Sequence, residues 1–150
     1  MNFEIVPFEE SLLAEAEQLE PRCFTAPWSR DNLESGFGFP WTYALAAKAD
    51  GVLAGYLFAV TVLDEGELLR LAAAPEYRRQ HIAQALLSRM FADHPQIVRW
   101  RLDVRCHNEG AIRLYEKNGF RIFVRNPDYY SQPKEDGFLM IREAAAEREE

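Results

Sequence analysis

Residues 97–105 read IVRWRLDVR, and no other stretch of this 150-residue chain restricts the fold so tightly. Val98, Trp100, Leu102 and Val104 alternate with Arg99, Arg101, Asp103 and Arg105. A period of two suits a strand with one apolar and one polar face. The period then changes. From Asn108 to Asn118, Ala111, Leu114 and Tyr115 recur at helical spacing, and Gly119 falls where a left-handed C-cap ends a helix. Two further β-rich runs follow, about Phe120 to Arg125 and Gly137 to Arg142. The segment between them, with Asn126-Pro127, Tyr129, Tyr130 and Pro133, reads as a loop.

The upstream half supplies the rest of the sheet. Met1 to Pro7 alternates as a first strand, and Glu9 to Glu20 carries Leu12, Leu13, Ala16 and Leu19 at helical spacing until Pro21 is expected to stop it. Ser29 is placed to N-cap a short second helix, with Asp31 and Glu34 near its positive end. Trp41 to Lys48 and Val52 to Leu63 are β-rich and joined by the hairpin signal Ala49-Asp50-Gly51. Glu67 to Ala74 makes another strand, ended by Pro75. A helix is expected from Arg79 to about Asp93, with Ile82, Leu86 and Met90 on one stripe and Ala85 and Leu87 beside it. The order β, α, α, β, β, β, α, β, α, β, β implies an α/β protein, one mixed sheet with helices on its faces.

Hydrophobic residues at 48% and aromatics at 13% are enough for a core without disulfides or metal. One domain over residues 1–143 is expected, followed by a charged tail at 144–150. The net charge is −7. The stretch REAAAEREE from Arg142 to Glu150 holds two arginines and four glutamates, so most of the negative charge belongs to the folded part. That balance argues against a nucleic-acid partner and for a cationic one. Cys23 and Cys106 show no metal or redox spacing and suit a reducing cytoplasm as small, partly buried residues. His94 and His107 have ordinary structural readings, and no metal is expected. Apolar runs fall short of the ~18 residues of a membrane span, and Met1 to Glu10 carries acids where a signal peptide is basic and then apolar. A soluble cytoplasmic protein without a membrane partner is the expectation; the oligomeric state stays open.

One segment suggests a ligand. ELLRLAAAPE runs directly into YRRQHIAQALL, and a helix that begins straight after a strand presents its first amides and the positive end of its dipole to an anion. Arg78 and Arg79 stand beside that end, which suits a diphosphate; the other reading is a basic first turn that sits in water. The second element is more specific. NEGAIRLYEKNGF fits the pattern Asn-x-x-Ala-x-x-Leu-Tyr-x-x-x-Gly-Phe at Asn108, Ala111, Leu114, Tyr115, Gly119 and Phe120. In this arrangement the chain resembles the GNAT superfamily of acetyl-CoA-dependent N-acetyltransferases. The stretches APWS (Ala26 to Ser29), LDEGELLRLA (Leu63 to Ala72), LDVRCHN (Leu102 to Asn108) and the pair Tyr129-Tyr130 make it similar to the RimI-type ribosomal-protein-alanine N-acetyltransferases.

The resemblance implies a mixed, mostly antiparallel sheet of about seven strands flanked by about four helices. It implies that backbone groups of Leu71, Ala72 and Ala73 hold the pantetheine arm and acetyl carbonyl, that Arg79, Gln80, His81, Ile82, Ala83 and Gln84 wrap the diphosphate of acetyl-CoA, and that Asn108 contacts it. Asp103 stands where a general base belongs and Tyr115 where a general acid returns a proton to the departing thiolate. The acceptor implied is a protein N-terminus, that of a ribosomal protein. Lysine or a small-molecule amine on the same scaffold, or a noncatalytic acyl-CoA-binding module, are the other readings. Two residues depart from the pattern. Asp103 replaces Glu, shortening the reach by roughly 1.5 Å, which favours relay through a water. His81 replaces the first glycine of the diphosphate element, a substitution tolerable if the residue lies in a right-handed first turn. Asp103 also reads as an exposed carboxylate between Arg101 and Arg105, and Tyr115 as a core aromatic. Trp28, Trp41, Tyr129 and Tyr130 are expected to wall an electronegative groove for the acceptor.

Overall fold

A computed structural model of the chain describes residues 2–144. Strand β1 (Glu4–Pro7) leads through a 3-10 turn (Glu10–Leu12) into helix α1 (Leu13–Cys23), followed by α2 (Arg30–Gly38), β2 (Thr42–Ala49), β3 (Val52–Val62) and β4 (Glu65–Ala73). A second 3-10 turn (Pro75–Gln80) precedes α3 (Ile82–Asp93), then come β5 (Arg99–Arg105), α4 (Glu109–Lys117), β6 (Arg121–Ser131) and β7 (Lys134–Glu143). The seven strands form one sheet in the order β1-β2-β3-β4-β5-β7-β6. Pairs β1–β2, β2–β3, β5–β7 and β6–β7 are antiparallel, whereas β4 pairs β5 in parallel over Glu65–Glu67 and Arg99–Arg101. The sequence of elements and the mixed α/β sheet are those expected. The tail expected at 144–150 falls, beyond Ala144, outside the described residues.

The chain divides into two compact units: residues up to Val60 with Leu69–Pro95, and Thr61–Leu68 with the residues from Gln96 on. In the first, α1 and α2 bury Leu13, Ala16, Leu19 and Leu33 with Phe8, Tyr56 and Phe58. Ser29 Oγ accepts from the Asn32 amide at 3.1 Å, the cap its sequence position suggested. The β2–β3 hairpin turns at Asp50 (φ 53°) and Gly51 (φ 79°), both left-handed, as the Asp-Gly signal requires. In the second unit the apolar face of β5 is buried: Trp100 and Leu102 are 1% exposed and Val104 6%.

Three local expectations are corrected. Helix α1 does not stop at Glu20; it continues through Pro21 to Cys23. Pro21 and Glu17 are both exposed, so the carbonyl that loses its donor lies on the wet side of the helix, and buried Glu20 holds the last turn in place. The segment around Asn126-Pro127 is not a loop but the middle of β6. Strand β6 lies at the edge of the sheet, and a register irregularity between Asn126 and Tyr130 accommodates the missing proline amide. The helix expected from Arg79 begins only at Ile82, because His81 interrupts it in a left-handed conformation (φ 63°, ψ 26°).

Candidate active site

In the first unit, the end of β4 and the start of α3 carry most of the residues expected to bind the acyl donor. Ala72 is buried while Leu71 and Ala73 are half-buried, as a strand's alternation requires. Gly55 of β3 makes this packing possible: a Cβ there would lie 2.5 Å from the Ala72 carbonyl oxygen and 3.0 Å from Ile82 Cγ2. The Ala73 carbonyl accepts from Cys23 Sγ and from Arg78 Nε, each at 3.3 Å. Arg78 thus leans back through its Nε on the strand that precedes it. Arg79 and Gln80 lie in the 3-10 turn. The first intrahelical bond of α3 runs from the Ala85 amide to the His81 carbonyl at 2.9 Å. The amides of Ile82, Ala83 and Gln84 therefore precede it at the positive end of a twelve-residue helix, the arrangement that suits a phosphate.

His81 sits at the N-cap of α3 with no side-chain cap bond. The expectation of a right-handed first turn is overturned. Glycine occurs at this position of the pattern because the backbone is left-handed there, where any Cβ is unfavourable. Histidine is among the non-glycine residues that tolerate such a turn best.

A buried charge network underlies the APWS segment. Glu20 is fully buried; its Oε1 accepts from Arg70 Nη2 at 2.6 Å and from the Trp28 amide at 2.7 Å, and its Oε2 accepts from the Tyr56 hydroxyl. Arg70 also donates to the Ala26 carbonyl at 3.3 Å, with its guanidinium 3.6 Å from the centre of the Phe24 ring and 4.6 Å from that of Trp28. Burial and the adjacent Glu20 raise the Tyr56 hydroxyl well above its ordinary range, so it stays a donor. This network joins two motifs of the resemblance, APWS and the LLRLA of β4. Trp28 is half-buried, its ring 6.2 Å from that of Phe58. Trp41 is 59% exposed and stacks on Phe39 at 4.8 Å. The clue in the sequence that Glu20 is buried is its place on the apolar stripe of the helix, four residues after Ala16.

The second unit holds the proton-transfer candidates. Asp103 is half-buried on the polar face of β5, opposite Leu139 of β7. The Tyr129 hydroxyl donates to Asp103 Oδ2 at 3.3 Å. Burial, then the nearby Asp103 charge, raise the Tyr129 hydroxyl, and the same two causes push Tyr130 up to about 12. Both phenols are therefore neutral donors at ordinary pH. The Tyr129 and Tyr130 rings meet edge to face at 5.0 Å, and the Arg105 guanidinium lies 4.3 Å from the Tyr130 ring centre. Of the two, Tyr130 is in register with Glu135 of β7, whereas Tyr129 lies in the irregular stretch of β6 before it and meets Asp103 through its hydroxyl. Tyr115 is buried at 8% exposure, its ring 5.8 Å from Phe120. Asn108 N-caps α4, its Oδ1 accepting from the Ala111 amide at 3.3 Å, which directs its side-chain NH2 elsewhere.

The profile of the acetyltransferase (GNAT) family matches residues 13–120. The ribosomal protein bS18-alanine N-acetyltransferase of Escherichia coli strain K12 is 30% identical over 140 residues, 91% of this chain and 94% of that protein. The enzyme of the same name from Salmonella typhimurium is 31% identical over 132 residues, 85% of this chain and 88% of that one. The crystal structure of the ribosomal-protein-S18-alanine N-acetyltransferase from Escherichia coli superimposes with a TM-score of 0.88 at 28% identity, covering 95% of this chain and 94% of that one. The family profile over residues 13–120 and the 30% identity across 91% of the chain, on a fold that superimposes over 95% of its length, place the chain in the acetyltransferase (GNAT) family.

Proposed function

We propose that this enzyme transfers the acetyl group of acetyl-CoA to the N-terminal α-amine of a protein, and that its substrate is the N-terminal alanine of a small-subunit ribosomal protein, in the cytoplasm. The observation that carries the reading is Asp103, a half-buried strand carboxylate oriented by a phenol that stays neutral. An α-amine has an ordinary pKa near ~8, against ~10.4 for lysine, so a weak base suffices to deprotonate it. The relatives named above, whose stated activity is acetylation of a ribosomal-protein alanine, supply the acceptor.

The residues present fit acetyl-CoA as acyl donor. The amides of Ile82, Ala83 and Gln84 stand at a helix's positive end for the diphosphate, the backbone of Leu71, Ala72 and Ala73 would hold the pantetheine arm, and the Asn108 side chain has donors to offer. In the reaction the amine nitrogen forms a bond to the acetyl carbon as the carbon–sulfur bond breaks. Asp103 takes the amine's proton, through a water if the shorter side chain leaves a gap, and Tyr115 gives a proton to the departing thiolate.

The test measures release of the coenzyme thiol with two peptides. One begins with a free alanine and contains no lysine; the other has a blocked N-terminus and one free lysine. Faster release with the first supports the α-amine assignment. Comparable rates transfer the assignment to lysine, and no release with any amine leaves only a noncatalytic acyl-CoA-binding role.

A further inference from the structure

Cys106 and His107 are adjacent in the turn that leads from β5 to α4, and sequence spacing alone offers them no third ligand. The sheet supplies one. The β5–β7 ladder ends with Arg105 opposite Gly137, and the Cys106 amide donates to the Asp136 carbonyl at 3.0 Å, which brings Glu135 of β7 against the turn. Glu135 Oε2 lies 3.0 Å from His107 Nδ1 and 4.0 Å from Cys106 Sγ, and the sulfur lies 3.4 Å from the same nitrogen. A tetrahedral Zn²⁺, with metal–sulfur bonds near ~2.3 Å and metal–nitrogen or –oxygen bonds near ~2.0–2.2 Å, separates such ligand atoms by about 3.3–3.6 Å. The three distances found bracket that range, so side-chain adjustments of a few tenths of an ångström would close the set.

We propose that Cys106 Sγ, His107 Nδ1 and Glu135 Oε2 form a binding site for a single divalent cation of the Zn²⁺ class, with a fourth position open to water. Thiolate with imidazole selects this softer class over Mg²⁺ or Ca²⁺. Glu135 is preorganised: its side chain is 13% exposed, Arg105 Nη1 donates to Oε1 at 3.0 Å, and the His107 amide donates to Oε2 at 3.0 Å. The arginine lowers the local negative charge but leaves Oε2 aimed at the other two ligands, as an outer-shell partner does. The site adjoins Asn108, the N-cap of α4, and owes nothing to the acetyl-transfer reading.

The test is titration of the full chain with Co²⁺ alone, followed by Zn²⁺. A thiolate-to-cobalt charge-transfer band that saturates at one equivalent and is displaced by Zn²⁺ is expected. Cys106→Ser abolishes the band, and His107→Ala raises the Kd by more than the ~10- to 100-fold typical of losing an outer-shell partner. Cys23→Ser leaves band and Kd unchanged. If Cys106→Ser does not fold, alkylation of Cys106 in the folded Cys23→Ser variant replaces it and removes the band. Absence of the band in the unaltered chain, its persistence without the Cys106 thiol, its loss with Cys23→Ser, or an unchanged Kd in His107→Ala overturns the proposal.

Discussion

Replacing His81 with glycine should stabilise the protein. The residue sits at φ 63° and ψ 26°, between a 3-10 turn and α3, and its side chain is exposed with no cap bond to lose. Holding a residue with a Cβ in the left-handed region costs roughly 1–2 kcal/mol, and histidine falls toward the lower end because it is one of the types enriched there. Glycine removes that cost but gives the unfolded chain extra freedom worth ~0.5–1 kcal/mol. The net gain is therefore about 0.5 kcal/mol and at most ~1 kcal/mol, a Tm rise of about 1–4 °C for a chain of this size. Thermal unfolding followed by circular dichroism measures it, with His81→Ala as the control. Alanine discards the imidazole yet keeps the Cβ, so it should be neutral or destabilising. Acetyl-CoA affinity, measured by calorimetry, should be unchanged or tighter by about fivefold at most, ~1 kcal/mol. A Tm gain in His81→Ala equal to that of glycine would show that the imidazole and not the backbone is responsible. A large loss of affinity in His81→Gly would show that the imidazole itself holds the donor.

Glu20→Ala should lower stability by about 3–5 kcal/mol, because Arg70, the Tyr56 hydroxyl and the Trp28 amide all lose their buried acceptor; urea denaturation measures the shift, and a change below ~1 kcal/mol would contradict the network's role. Gly55→Ala forces the Ala72 carbonyl and Ile82 apart, so a cost of roughly 1–3 kcal/mol in stability should come with weaker acetyl-CoA binding by calorimetry; retained affinity would detach those residues from the donor site. Tyr115→Phe should keep donor affinity within a fewfold while lowering kcat by ~10²-fold, and equal turnover would remove Tyr115 from the mechanism.

The order of the eleven strands and α-helices among the described residues is legible in the sequence because hydrophobic period and turn residues act locally. Ser29, Gly51 and Gly119 each occupy the cap or turn their residue type suggests. What escaped is non-local. Pro127 is compatible with a strand only at a sheet edge, and which strand forms the edge depends on the whole sheet. Helix α1 continues past Pro21, where the carbonyl left without a donor is exposed, and Glu20 before it pairs with an arginine 50 residues away. Asp103 and Tyr115 are candidates that their motifs alone suggest, whereas the hydroxyl on Asp103 comes from a tyrosine 26 residues later that the proline had assigned to a loop. His81 shows the reverse case. The pattern's glycine marked a left-handed position, and His81 takes up that conformation instead of a right-handed turn because the helix starts only at Ile82.

The most direct test uses one peptide that offers both amines, an alanine-first sequence with an arginine and a single internal lysine, incubated with the enzyme and acetyl-CoA and mapped by tandem mass spectrometry. A single acetyl group on the alanine nitrogen is expected, formed more slowly as added salt screens the attraction between an acidic enzyme of net charge −7 and a basic peptide. An acetyl group found on the lysine, with the α-amine left free, would contradict the α-amine assignment.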